Sequence, residues 1–308
     1  MKKLLFTLSA VALMFASCDK SEEGSALATD GVVTFTSDLS TRVETTDKVS
    51  KWEYNDQVGI YMLYSSTTSI TSENVPYVTG IEQSAEAAEN TIFSAVTTAD
   101  AIIYPNSGTV GFYAYYPYTA ALTADCITLD VADQTAEGAM GDLDFMTASA
   151  TGKSRGDEVK LAFAHKMAKL SFTITANDNV TSLTGLAVTV SGHNTLGVYD
   201  VKTGALSGSL SDSDDIEMYV VVSDDTATAE AIIHPETTIS GITFSLDGRE
   251  FGAKLSTENT IYAANSIYSY TIAVGNDYAK FTGDCTIIDW TDGTTAGDPV
   301  TEEIIVND

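Results

Sequence analysis

The 308-residue sequence is short of positive charge. Its 15 Lys and Arg stand against 43 Asp and Glu, a formal charge of −28 at pH 7. Losing Lys2 and Lys3 with an export leader takes the bases from 15 to 13 and the charge to −30. Such a surface repels phosphate backbones and anionic headgroups, which excludes nucleic acid as a partner. Cysteine and histidine number three each, too few for a disulfide framework or a zinc cluster. His165, His193 and His234 lie 28 and 41 residues apart, so no helix or hairpin loop gives them metal spacing. After the first 17 residues no stretch approaches the roughly 20 apolar residues that span a bilayer. Charged residues make up only 19% of the chain while hydrophobic residues reach 44%, which excludes disorder. The length suits about two domains, each able to bury its own core.

What is present begins with a leader. Lys2-Lys3 precedes Leu4 to Ala16, apolar apart from Thr7 and Ser9: a charged n-region and a short h-region. It ends in Phe15-Ala16-Ser17-Cys18, which resembles a bacterial lipobox, with Phe15 where Leu is usual. Residues 1–17 are therefore expected to be a lipoprotein signal peptide, and Cys18 the lipidated residue anchored in the outer membrane. Residues 18–30 read as a polar tether, with Asp19, Glu22 and Glu23 just behind the cysteine.

Beyond residue 30, short β-branched and aromatic runs alternate with Gly, Asn, Asp, Ser and Thr. Strands are expected at Val32–Thr36, Val58–Tyr64, Val110–Tyr116, Cys126–Val131, Leu186–Val190, Met218–Val222, Gly241–Leu246 and Ile267–Val274. Glu82–Glu89 alone has helix-like composition, but it lacks an apolar stripe. The chain is expected to be all-β, built of antiparallel sandwiches. Leu161, Phe163, His165 and Met167 occupy odd positions, and Leu170, Phe172 and Ile174 even ones. That parity flip demands a bulge or a change of sheet. Just before it lies the turn-rich Ala150–Asp157, so the domains are placed at 31–157 and 158–308.

Candidate chemistry is thin. His165 reads as a hydrogen-bonded core histidine, and Trp52 and Trp290 as turn-edge indoles with bonded N–H groups. Phe112, Tyr116 and Tyr118 share one parity and Tyr113 and Tyr115 the other, so both faces of that strand should be covered. Cys126 and Cys285 read as buried free thiols, with a disulfide left open for an exported protein. The acidic run Ser211–Glu217 lacks calcium-loop spacing and reads as a solvated hairpin tip. Arg155-Gly156-Asp157 is a tripeptide that host integrins read, and equally ordinary turn chemistry. Asp225-Thr226-Ala227 has the form of a bacterial O-glycosylation site, with a bare loop as the alternative. Nothing singles out a carboxylate pair, a nucleophile, a metal site or a cofactor site, so no enzyme is expected.

Several stretches, in order, resemble the fimbrillin family of lipoproteins, which includes shaft, anchor and tip subunits of type V pili in Bacteroidales. After the leader come Val33-Thr34-Phe35 and Thr41-Arg42, then Trp52 to Tyr61 and Phe112 to Tyr118. Asp144-Phe145-Met146-Thr147-Ala148, Leu161 to Leu170, Tyr268 to Ile272 and Ile288 to Gly293 follow. The resemblance implies two transthyretin-like β-sandwiches in tandem, and a structural or adhesive role with other pilus subunits as partners. A host or bacterial surface ligand is the further partner class. It also implies proteolytic processing after Arg42, one of three arginines in the chain, and strand exchange between subunits. Ile304, Ile305 and Val306 form the candidate donor strand; the other reading is a final strand of their own domain. The competing function is a monomeric surface lipoprotein that binds glycans or host proteins through its tyrosines.

Overall fold

The computed structural model describes residues 31–38, 51–253, 262–283 and 285–290. Its strands begin with β1 (Phe35–Asp38), β2 (Gln57–Tyr64), β3 (Ile70–Thr79), β4 (Ile92–Ala95), β5 (Val110–Tyr116) and β6 (Cys126–Asp130). A five-residue helix α1 (Ala139–Leu143) leads to β7 (Met146–Lys153), β8 (Val159–Ala162), β9 (Ala164–His165) and β10 (Ala168–Ala176). Then come β11 (Ala187–Asp200), β12 (Ser211–Glu217), β13 (Tyr219–Ser223), β14 (Thr226–Ile233) and β15 (Gly241–Leu246). The last are β16 (Arg249–Ala253), β17 (Ser266–Val274), β18 (Ala279–Phe281) and β19 (Thr286–Asp289). The fold is predominantly β, as its β-branched and alternating sequence requires. Glu82–Glu89 is turn and loop rather than helix. Among the described residues no helix is long and apolar enough to cross a membrane.

The first sheet has the order β8-β1-β4-β3-β2-β5-β7-β9. Its edge strands β8 and β9 are separated in the chain by Phe163 alone, so the sheet curls almost into a barrel. The second sheet runs β13-β14-β10-β17-β18, with β19 also on β17. The third runs β12-β11-β15-β16, with β6 also on β11. Pairing is mostly antiparallel, as expected, but β1 runs parallel to β8 and β10 parallel to β17. The order of strands in the chain therefore does not foretell their neighbours. β6 leaves the first-sheet region to pair with β11, Leu196 facing Asp130 and Asp200 facing Cys126.

Two apolar cores result. One holds Val33, Phe35, Trp52, Phe93, Phe112 and Phe163; the other holds Leu170, Phe172, Val188, Phe244 and Tyr270. The parity flip marks the crossing. Val159, Leu161 and Phe163 point into the first core, and Met167, Leu170 and Phe172 into the second. The strand changes sheets between His165 and Ala168. β5 explains its own bulk: Phe112 and Tyr116 pack on the first core, Tyr113 and Tyr115 on the second.

Candidate functional site

The functional residues expected from sequence at Cys18, Arg42 and Ile304-Ile305-Val306 lie outside the described residues. The strand that leads to Arg42 is described, and it sits inside the first sheet rather than at an edge. β1 pairs antiparallel with β4, Phe35 opposite Phe93, and parallel with β8, Phe35 opposite Val159. Upstream, Val32 bridges Ile103, and Val33 N–H donates to Ile102 C=O at 2.9 Å. The expected strand thus starts as a bridge and becomes regular only at Phe35. Alternation decides the faces. Val33, Phe35 and Ser37 are buried, while Val32 and Thr34 are exposed. Phe35 meets Tyr77 and Phe112 edge-on, with centroids 5.0 and 5.2 Å away.

The Ser154–Asp157 turn folds back on the start of this segment. Asp157 Oδ2 accepts from Ser154 N–H at 2.8 Å, and Asp157 C=O from the Tyr104 hydroxyl at 2.8 Å. Arg155 Nη1 donates to Tyr104 C=O at 3.2 Å and reaches Asn106 Oδ1 at 3.4 Å. Both charged side chains of the tripeptide are engaged within the molecule, which argues against their serving as an integrin ligand.

The other sequence-marked residues are dispersed. Thr226 is exposed at the start of β14, its hydroxyl donating to Ser223 C=O at 2.9 Å. The acidic run forms strand β12 on β11 instead of a hairpin tip, with Ile216 its buried residue. Backbone bonding to β11 overrides its poor strand composition, and its charged exposed face suits an edge. Cys126 is half-buried rather than buried, Cys285 is buried, and no disulfide joins the two. Trp52 is buried, but its Nε1–H has no acceptor, contrary to expectation. A cleft of about 420 Å³ beside it is lined by Lys51, Glu53, Asp56, Asp142 and Asp144, among others. Burial raises the Asp56 pKa above the usual carboxylate range. Its oxygens are already taken by Glu53 N–H and the Tyr116 hydroxyl, while Asp144 takes His165. Among the described residues no group of three or more His, Cys, Asp or Glu is placed to hold a metal.

Spacing missed one cluster. His193 and His234 lie 6.0 Å apart and nearly parallel, inside a closed hydrogen-bond circuit. His234 Nε2 lies 3.0 Å from Thr195 C=O and so carries the proton, leaving Nδ1 to accept from Tyr199 O–H at 2.7 Å. His193 Nε2 accepts from His234 N–H at 3.1 Å, and its Nδ1 lies 2.9 Å from Thr237 Oγ1. Thr237 spends its own proton on His234 C=O at 2.8 Å, so His193 Nδ1 is the donor. Both rings are neutral. Burial, reinforced by the neighbouring ring, lowers the His193 pKa to about 3, and burial also lowers that of His234. Every ring nitrogen is committed, so the pair is a structural strut and not a ligand set.

With no catalytic constellation assembled among the described residues, kinship decides the class. A model described as fimbrillin-like matches residues 41–290. The chain belongs to the fimbrillin-like family. This fimbrillin-like chain is 30% identical over 313 residues to a protein of Bacteroides uniformis named as the candidate fimbrium subunit Fim1C. That match covers 96% of this chain and 98% of the relative. A candidate cell adhesion protein of Bacteroides uniformis has a crystal structure at TM-score 0.67 and 28% identity, covering 85% of this chain and 99% of its own. A second, from Bacteroides ovatus, matches at TM-score 0.68 and 18% identity, covering 87% and 99%, a likeness of fold. As a fimbrillin-like protein the chain is a structural or adhesive fimbrial subunit of the cell surface, not an enzyme.

Proposed function

We propose that this subunit is exported as a lipoprotein acylated on Cys18, held at the outer membrane, and assembled by strand exchange after cleavage behind Arg42. The observation that supports this reading is the position of β1 between β4 and β8, hydrogen-bonded on both sides. Its departure with the Cys18–Arg42 peptide would leave two unpaired strand edges beside the apolar faces of Tyr77 and Phe112. Such a groove is a template for another subunit's strand, with Ile304, Ile305 and Val306 as the candidate donor. The two cores correspond in this reading to two transthyretin-like sandwiches in tandem, divided near residue 157.

The competing glycan-binding reading needs tyrosines on the surface. Tyr61, Tyr77, Tyr115, Tyr199 and Tyr262 are instead fully buried, and Tyr54 is the large exposed one at 53%. Two experiments test the proposal. Cys18→Ser should abolish labelling by a palmitate analogue and release the protein from membranes; a variant still bound and labelled refutes the anchor. Arg42→Ala should remove a ladder of heat-sensitive oligomers from surface material. An unchanged ladder, or an uncut N-terminus in wild-type surface protein, refutes the exchange mechanism.

A further inference from the structure

Arg155 belongs to a motif that fimbrial assembly leaves unexplained, and it packs against the first residue of the β1 segment. Gly31 has φ of +90°, and a Cβ built there would lie 2.5 Å from Arg155 Nη1, 2.6 Å from Cζ and 2.7 Å from Nη2. The guanidinium therefore covers the space that any side chain at position 31 would occupy. It grips the segment across the bridge as well, by donating to Tyr104 C=O at 3.2 Å. Tyr104 N–H in turn donates to Gly31 C=O at 2.8 Å. One cationic group thus spans both sides of the bridge that starts the segment. The turn carrying it is braced by Asp157, through Ser154 N–H and the Tyr104 hydroxyl. Outside this clasp the bridge is bare, with Val32 39% and Ile103 54% exposed.

We propose that the Ser154–Asp157 turn is a latch on the first strand. Arg155 holds Gly31–Asp38 in the sheet, and displacing its guanidinium lets that segment open while the rest of the fold stays closed. A charge-assisted bond to a backbone carbonyl is stronger than a neutral one, and the segment starts as a lone bridge from Val32 to Ile103, the place where its opening would begin. The latch deepens the strand-exchange reading, since it would keep β1 seated until cleavage frees it, but its test does not depend on assembly.

The test is native-state amide hydrogen exchange on the full chain carrying Arg155→Ala, Arg155→Lys or Gly31→Ala. Val33 and Ser37 N–H, bonded to Ile102 and Thr91 C=O, are the reporters. Arg155→Ala and Gly31→Ala should speed their exchange about tenfold or more, and the milder Arg155→Lys by less, with β10 amides unchanged. Unaltered exchange at Val33 and Ser37 overturns the latch, and so does equal acceleration in β10, which would mean general destabilisation. Local acceleration in a protein that forms no oligomer ladder supports the latch while removing the strand-exchange reading.

Discussion

His165 and Trp290 stack face to face, with ring centroids 4.2 Å apart and planes 5° from parallel. His165 ends β9 in the first sheet, and Trp290 follows β19 on the second. The imidazole Nδ1 lies 2.5 Å from Asp144 Oδ1, and Lys169 Nζ sits 6.0 Å from the indole centroid. The stack therefore joins the two sheets where the chain crosses between their cores.

Trp290→Ala should destabilise the protein by about 3 kcal/mol, the range for emptying a buried indole site. Trp290→Phe, which keeps a ring over His165, should lose less than half of that. Urea midpoints at constant slope check both; equal losses would show that a ring over His165 contributes nothing to stability.

Stability should fall as the medium turns acid below about pH 6.5, because of His193 and His234. Their folded-state pKa values are depressed, to about 3 for His193, so below the unfolded value the unfolded chain binds more protons. The contribution is complete above the unfolded pKa and is lost progressively as pH falls toward the folded one. Each histidine adds a slope of at most about 1.4 kcal/mol per pH unit. Urea titrations from pH 8 to pH 4 should show it, and His193→Gln should flatten the curve. A wild-type stability independent of pH between 6.5 and 5 would contradict the neutral, buried assignment.

Gln134 is a buried amide that acts as a piece of strand. Its Nε2 donates to Val131 and Ile232 C=O at 2.8 and 2.7 Å, and its Oε1 accepts from Ile232 N–H at 2.7 Å. Gln134→Leu strands three backbone groups in the core and should cost about 2–4 kcal/mol. Exchange at Ile232 N–H should rise in step with the loss; a variant as stable as wild type would show that water or a shift in backbone replaces the amide.

Protease should cut first in the Ser154–Asp157 turn, between β7 and β8. The two fragments should nevertheless co-elute on gel filtration, because β6 lies before the cut and pairs with β11 after it. Fragments that part without denaturant would contradict that pairing.

Much of the fold was legible in the sequence because its evidence is local. Alternation in Leu170, Phe172 and Ile174 marks a half-covered strand wherever it occurs, and the parity break between Met167 and Leu170 fell beside the crossing between cores. The double-sided bulk of Val110–Tyr116 likewise required cover on both faces. The order of fimbrillin motifs named the family for the same reason, since it can be read along the chain. Strand partnership is not local. Backbone N–H and C=O groups are alike at every residue, so only the packed arrangement chose β8 as the parallel neighbour of β1, and β11 as the partner of both β6 and the acidic β12. The same holds for His193 and His234, which 41 residues of sequence separate: one sits on β11 of the third sheet and the other just after β14 of the second, and only their packing joins them in one circuit. It holds for Arg155, a turn residue by composition, which the curl of the first sheet sets against Gly31. Sequence determined which faces are apolar; tertiary structure decided which faces meet, because burial rewards contact without specifying a partner.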